Sequence, residues 1–286
     1  MAAAAMIPTL AFSSTIDLTP AGTQSLAVAG AVGGAAIVSD YWLQPAGTGV
    51  FNPFLTLDAN GKTSTGSNDV EQAYNTDGYN ALYMDCLRPH WNTTLHVSDL
   101  ATITLNQINY YGFILDANEP GGAKSLISVD NIRIYTSATD NTASVGDDVT
   151  KLDNLGTLRW AMNNPTLNAD GSFNTNTWIK LDASQENIDM GSNGGSGMAD
   201  MIIYIPQTAF GTAAGSDYVW FYNLNGAHAN VDQNLASTAG FEEWSAVRGN
   251  TAVSTPDEAD TLLLLALSFL AFASFGFRAA RVQRVG

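Results

Sequence analysis

Between residues 14 and 253 the apolar side chains come in short runs, and several of these alternate with polar residues at a spacing of two. That spacing is the repeat of a strand with one buried face. No window sustains the repeat of roughly 3.6 residues that an amphipathic helix needs. The pattern predicts strands over residues 101–105, 110–115, 126–135, 178–181, 201–205 and 218–224. Within 128–135, Val129, Ile132 and Ile134 keep nearly to one face, and the loss of phase at Asp130-Asn131 predicts a β-bulge. Turn signals separate the runs: Asn60-Gly61, Asp77-Gly78, Pro120-Gly121-Gly122, Asp170-Gly171 and Asn225-Gly226. Short strands punctuated this way predict an all-β fold, a single β-sandwich, because no Pro/Ser-rich linker divides the region.

The two ends follow different patterns. Residues 1–13 are small and apolar, and Ala11-Phe12-Ser13 has the small-x-small spacing that signal peptidase accepts, so this stretch reads as the apolar region and cleavage site of a signal peptide lacking its basic start. At the other end, residues 254–286 run from Thr255-Pro256-Asp257-Glu258-Ala259-Asp260-Thr261 into an uncharged stretch, Leu262 to Phe277, closed by Arg278, Arg281 and Arg284. As a helix that stretch is about 24 Å long, enough to span a membrane of about 30 Å when Thr261 and the snorkelling arginines are added. It is apolar on every side, unlike a helix packed on one face of a soluble domain. The arginines would remain cytoplasmic, placing the body of the chain outside.

Pro256, Asp257 and Thr261, followed by an apolar helix and a basic end, resemble the C-terminal sorting signal of PEP-CTERM proteins, in particular the variant beginning Val-Pro-Asp-Ser-Gly-Ser-Thr. Thr255, Glu258, Ala259 and Asp260 depart from it. The resemblance implies processing by an exosortase, with Pro256, Asp257 and Thr261 as recognition residues of a substrate and Arg278, Arg281 and Arg284 as the membrane stop. A second likeness covers about residues 47–222. Gly47 to Phe54, Tyr74-Asn75-Thr76-Asp77-Gly78, Tyr111 to Glu119 and Ile132-Arg133-Ile134-Tyr135 resemble jelly-roll-like surface domains found in proteins with such tails. It implies a fold and no activity.

Composition narrows the partners. Only 13% of residues are charged, and 27 acidic residues oppose 11 basic ones. Three of those eleven, Arg278, Arg281 and Arg284, follow the last acid, Asp260, so the rest of the chain sets 27 acids against eight bases. Nucleic acid is excluded as a partner, since phosphate binding needs clustered Lys and Arg. Cys86 is the single cysteine, which rules out an internal disulfide and reads as a small buried apolar residue.

Calcium is the candidate ligand, because Asp116, Asn118 and Glu119 offer three oxygen-bearing side chains at a strand end beside Gly121-Gly122, with Asn75, Asp77 and Asp200 as further loop donors. Turn chemistry explains the same residues equally simply. Trp91, Trp160, Trp178, Trp220 and Trp244 could stack on polysaccharide, although tryptophans in strands more often fill a core. His90, His96 and His228 lack metal-ligand spacing, Gly194-Gly195-Ser196-Gly197 is neither a nucleophile elbow nor a P-loop, and Asn92-Thr93-Thr94 is a chance sequon. No catalytic residue is identified. The sequence therefore predicts a non-enzymatic exported protein of the cell surface or extracellular matrix, held transiently in the inner membrane. The alternatives are a carbohydrate-binding module and a secreted glycosidase-like enzyme.

Overall fold

The computed structural model describes residues 14–20, 25–40, 53–58, 70–77, 84–86, 91–119, 125–184, 199–237 and 241–248. These residues form two sheets. The first runs β1 (Ser14–Asp17), β11 (Thr177–Asp182), β9 (Leu126–Ser137), β13 (Tyr218–Asn225), β5 (Glu71–Tyr74), with β10 (Thr157–Ala161) added on β9 and β6 (Leu95–His96) on β13. The second runs β2 (Ser25–Ala29), β3 (Ala35–Ser39), β12 (Met201–Pro206), β8 (Ile108–Asp116), β14 (Glu242–Ala246), β4 (Pro53–Leu57), with β7 (Ile103–Leu105) on β8. Every pairing is antiparallel except β1 with β11. The steps from β4 to β5, β8 to β9, β12 to β13 and β13 to β14 each change sheet.

Each predicted strand is present within a residue or a few of its expected bounds. The bulge is present too: along β9 and β13, Leu224 opposes Asn131 while Asn225 opposes Val129, so Asp130 is the extra residue. That insertion restores phase and keeps Val129, Ile132 and Ile134 fully buried in one core.

Aromatic rings join the sheets through their centre. Phe221 of β13 meets Phe54 of β4 edge-on at 5.5 Å between centroids, Phe113 of β8 at 5.1 Å and Trp244 of β14 at 4.7 Å. Aliphatic side chains from both sheets, including Leu55, Leu115, Ile179, Ile203 and Ile205, complete this layer.

The expectation of one wetted face fails for the first sheet. Its outer surface carries Tyr74, Tyr135, Trp220 and Tyr222, and the 3₁₀ turns Thr142–Ser144 and Val149–Leu155 lay Val145, Leu152 and Leu155 over them as a second core. Arg133 pins that cover. Its guanidinium donates to the Tyr135 hydroxyl (2.7 Å), the Asn163 carbonyl (3.1 Å), and the Asp153 and Asn164 side chains (3.2 Å each). With both faces covered, β9 and β13 are buried almost throughout, and the outward Tyr135, Trp220 and Tyr222 are large and amphipathic, with Arg133 bonded among them.

Residues 262–277, where the membrane-spanning helix is expected, lie outside the described residues, as do the sorting motif and residues 1–13. Among the described residues no helix is long and apolar enough to cross a membrane.

Phe221→Ala should cost about 3–5 kcal/mol, because three aromatic partners lose one ring face each. Urea unfolding monitored by tryptophan fluorescence would measure it, with Phe221→Leu falling well short of that loss.

Candidate functional site

One end of the sandwich brings several acidic residues together. Four connections, 58–70, 117–125, 183–200 and 226–241, leave from this end, because β4, β8, β11 and β13 finish here while β5, β9, β12 and β14 begin. Pairing aligns the ends: Glu242 opposes Leu57, Glu243 opposes Asp116, and Asn225 opposes Glu71.

At its centre lies a pair of carboxyl groups in the inter-sheet space. Glu71 and Ala73 of β5 point inward, as do Glu242, Trp244 and Ala246 of β14. Glu71 and Glu242 are both fully buried and lie within hydrogen-bonding reach of each other. The Asn225 amide donates to Glu71 Oε1 (2.7 Å) and the Ser237 hydroxyl to Glu242 Oε2 (3.4 Å). Burial pushes both acids above their ordinary range, Glu242 well above it. Repulsion reinforces the rise, from Asp85 on Glu71 and from Glu71 and Glu119 on Glu242.

At the same end, near Asp116 and Asp182, Asp200 accepts the Ala117 backbone N–H at 2.7 Å. Burial raises its pKa well above the usual value against the lowering effect of that bond, and Asp116 and Asp182 repel it further. On the outer face of the first sheet, the bulged Asp130 carboxylate accepts the Ser128 hydroxyl, the Ala227 N–H and a contact with His228 Nδ1, and the His228 ring stacks on Trp178 at 4.0 Å. The bulge thus aims Asp130 at the turn after β13.

The residues expected to bind calcium are only partly brought together. Asp116 ends β8, buried and facing away from the core. The Asn118 amide donates to the Phe241 carbonyl at 2.8 Å, and Glu119 lies close enough to act on Glu242. Asp200 joins this end, but Asn75 and Asp77 do not. Asn75 follows the far end of β5, where its carboxamide accepts the Phe221 N–H (2.6 Å) and donates to the Val219 and Thr93 carbonyls. Asp77 accepts the backbone N–H and hydroxyl of Thr94. Among the described residues no group of three or more His, Cys, Asp and Glu side chains is arranged around a metal position.

Three of the five tryptophans weighed as sugar platforms, Trp160, Trp220 and Trp244, are fully buried, and Trp178 is nearly so beneath His228. Trp91 is 41% exposed and lies against Phe241 at 5.6 Å between ring centroids. Asn92 of the sequon is buried, bonded through both side-chain atoms to Thr56. Cys86 is buried as expected, its thiol donating to the Tyr74 carbonyl.

The Glu71–Glu242 pair is the feature that pattern reading missed. A period-two reading of Glu242-Glu243-Trp244-Ser245-Ala246 would have put Glu242 on the face of Trp244 and Ala246, an inward acid that demands a partner.

The raised pKa of Asp200 couples folding to the uptake of a proton. The folded state holds this proton more tightly than the unfolded chain, so the contribution of Asp200 to stability falls as pH rises above about 4 and through its folded pKa. Asp200→Asn keeps an oxygen acceptor for Ala117 and removes the titration, so its unfolding midpoint should lose less than wild type between pH 5 and pH 8. Equal losses in paired urea titrations would contradict this assignment. Comparison of the chain with known protein families, with curated proteins and with solved structures finds no match.

Proposed function

We propose that this chain is a non-enzymatic exported protein of the cell surface or extracellular matrix, sorted through its C-terminal segment by an exosortase-type membrane enzyme. One observation carries the reading: a Pro256-Asp257 motif with Thr261, an uncharged run from Leu262 to Phe277, and then Arg278, Arg281 and Arg284. That order makes an oriented, temporarily anchored substrate. The body suits such a role, with Asn75, Asp200 and Asn163 tied into hydrogen bonds that hold the fold. A jelly roll is supported by strand order, since β4-β14-β8-β12 in one sheet faces β5-β13-β9-β11 in the other, and among these eight every successive step except β9 to β11 crosses between the sheets.

Intact-mass analysis of the protein recovered from its producing cells tests the sorting reading. A mature form ending near Pro256 is expected, and its loss on deleting the exosortase completes the case. A wild-type mass that retains Leu262 to Phe277 would overturn it.

A second reading, binding of extracellular polysaccharide, is favoured by Trp91, whose exposed ring next to Phe241 offers a stacking surface. In affinity electrophoresis through gels cast with matrix polysaccharide, the wild-type protein should be retarded and Trp91→Ala should run free. Identical mobility of the two proteins would remove this reading.

A further inference from the structure

We propose that Glu71, Glu242 and Asn225 form a buried calcium site that ties the starts of β5 and β14 and the end of β13 together across the two sheets. The three side chains are fully buried, and three of their oxygens, Glu71 Oε2, Glu242 Oε1 and Asn225 Oδ1, have no hydrogen-bond donor. Ordinary packing does not leave such a set. A buried acceptor without a donor costs about 1–3 kcal/mol, more when charged, and unpartnered acceptors are rare in folded interiors.

Two arrangements could satisfy the carboxyl groups. A single proton shared between Glu71 and Glu242 would supply one O–H donor, since two carboxylates have none. That proton leaves Asn225 Oδ1 still unpartnered, and it leaves one negative charge in the core among neighbours, Asp85 and Glu119, that are negative as well. A divalent cation answers every requirement at once. Two carboxylates balance its charge, and the Asn225 carboxamide oxygen gains a partner.

The chemistry selects the ion. All the available donors are oxygens, with no thiolate or imidazole among them, which favours a hard cation over zinc or copper. Calcium accepts carboxylates and carboxamide oxygens in irregular geometry, whereas magnesium demands near-octahedral coordination and gives up its waters reluctantly, which suits fully buried ligands poorly. Ser237 completes the arrangement from outside, its hydroxyl donating to Glu242 Oε2, while the Asn225 Nδ2 fixes Glu71 Oε1. The site is distinct from Asp116 and Asn118. Of the residues expected from the sequence to bind calcium, Glu119 is the one whose charge reaches it.

The test uses the full-length chain in detergent, stripped with a chelator and then titrated with calcium chloride. Calorimetry should give one high-occupancy site with a dissociation constant on the order of 1 mM or tighter, and saturating calcium should raise the melting temperature by several degrees. Terbium should show luminescence sensitised by Trp244, which lies on the same face of β14 as Glu242. Glu242→Gln and Glu71→Gln, checked for folding by near-ultraviolet circular dichroism, should each weaken calcium binding on the order of tenfold or more. Magnesium at the same concentration should leave the melting temperature unchanged. No calcium binding by the stripped wild type would overturn the site in favour of a shared proton. Binding that persists unchanged in both variants, or that magnesium reproduces, would overturn it in favour of general attraction to an acidic surface.

Discussion

The clasp of Phe221 against Phe54, Phe113 and Trp244 is the contact on which the rest of the architecture depends. Strands in neither sheet are held by their own ladder alone, and a sandwich closes only when both inner faces interdigitate. Phe221 lies near the middle of β13, beside β9 in one sheet and across from β4, β8 and β14 in the other. Its position fixes the register of the central strands. That register then carries Glu71, Asn225 and Glu242, residues from well-separated parts of the chain, to one end of the inter-sheet space.

A second constraint explains the unusual composition. Where a ladder is interrupted, buried backbone groups still need partners, and this protein supplies them with neutral carboxamides. Asn163 accepts the Thr177 N–H and donates to the Asp130 and Thr177 carbonyls, bridging the bulge in β9 to β11. Asn75 does the same between β13 and the segment before β6, and Asn223 holds the Trp244 indole while donating to Asn131. A carboxamide offers a donor and an acceptor without a charge to desolvate, so a protein of low charge content can fill its irregular positions this way. The exceptions matter for the same reason: Arg133 is buried with its donors engaged, and the Glu71–Glu242 pair is buried with oxygens left over.

Local periodicity carried a great deal of this. The alternation in 128–135 and its break at Asp130 located both a strand and its bulge, since a phase error in a two-residue repeat has few other physical solutions. Strands such as β4 and β5 stayed hidden because they are short, and β14 because it opens on two acids, one of them on its otherwise apolar inward face. The double burial of β9 and β13 was also invisible, because it depends on a cover folded from residues 142–155 rather than on the strands themselves.

By itself the sequence determined the secondary-structure class, the position of the bulge, the buried state of Cys86 and the three-part character of residues 255–284. Each follows from spacing or polarity within a window of neighbouring residues. Only the tertiary structure decided that Trp160, Trp220 and Trp244 are core while Trp91 is exposed, which asparagines replace the ladder, and that Glu71 and Glu242 meet. Strand order across two sheets is set by long-range packing, and no local pattern states which inward acid will find which partner.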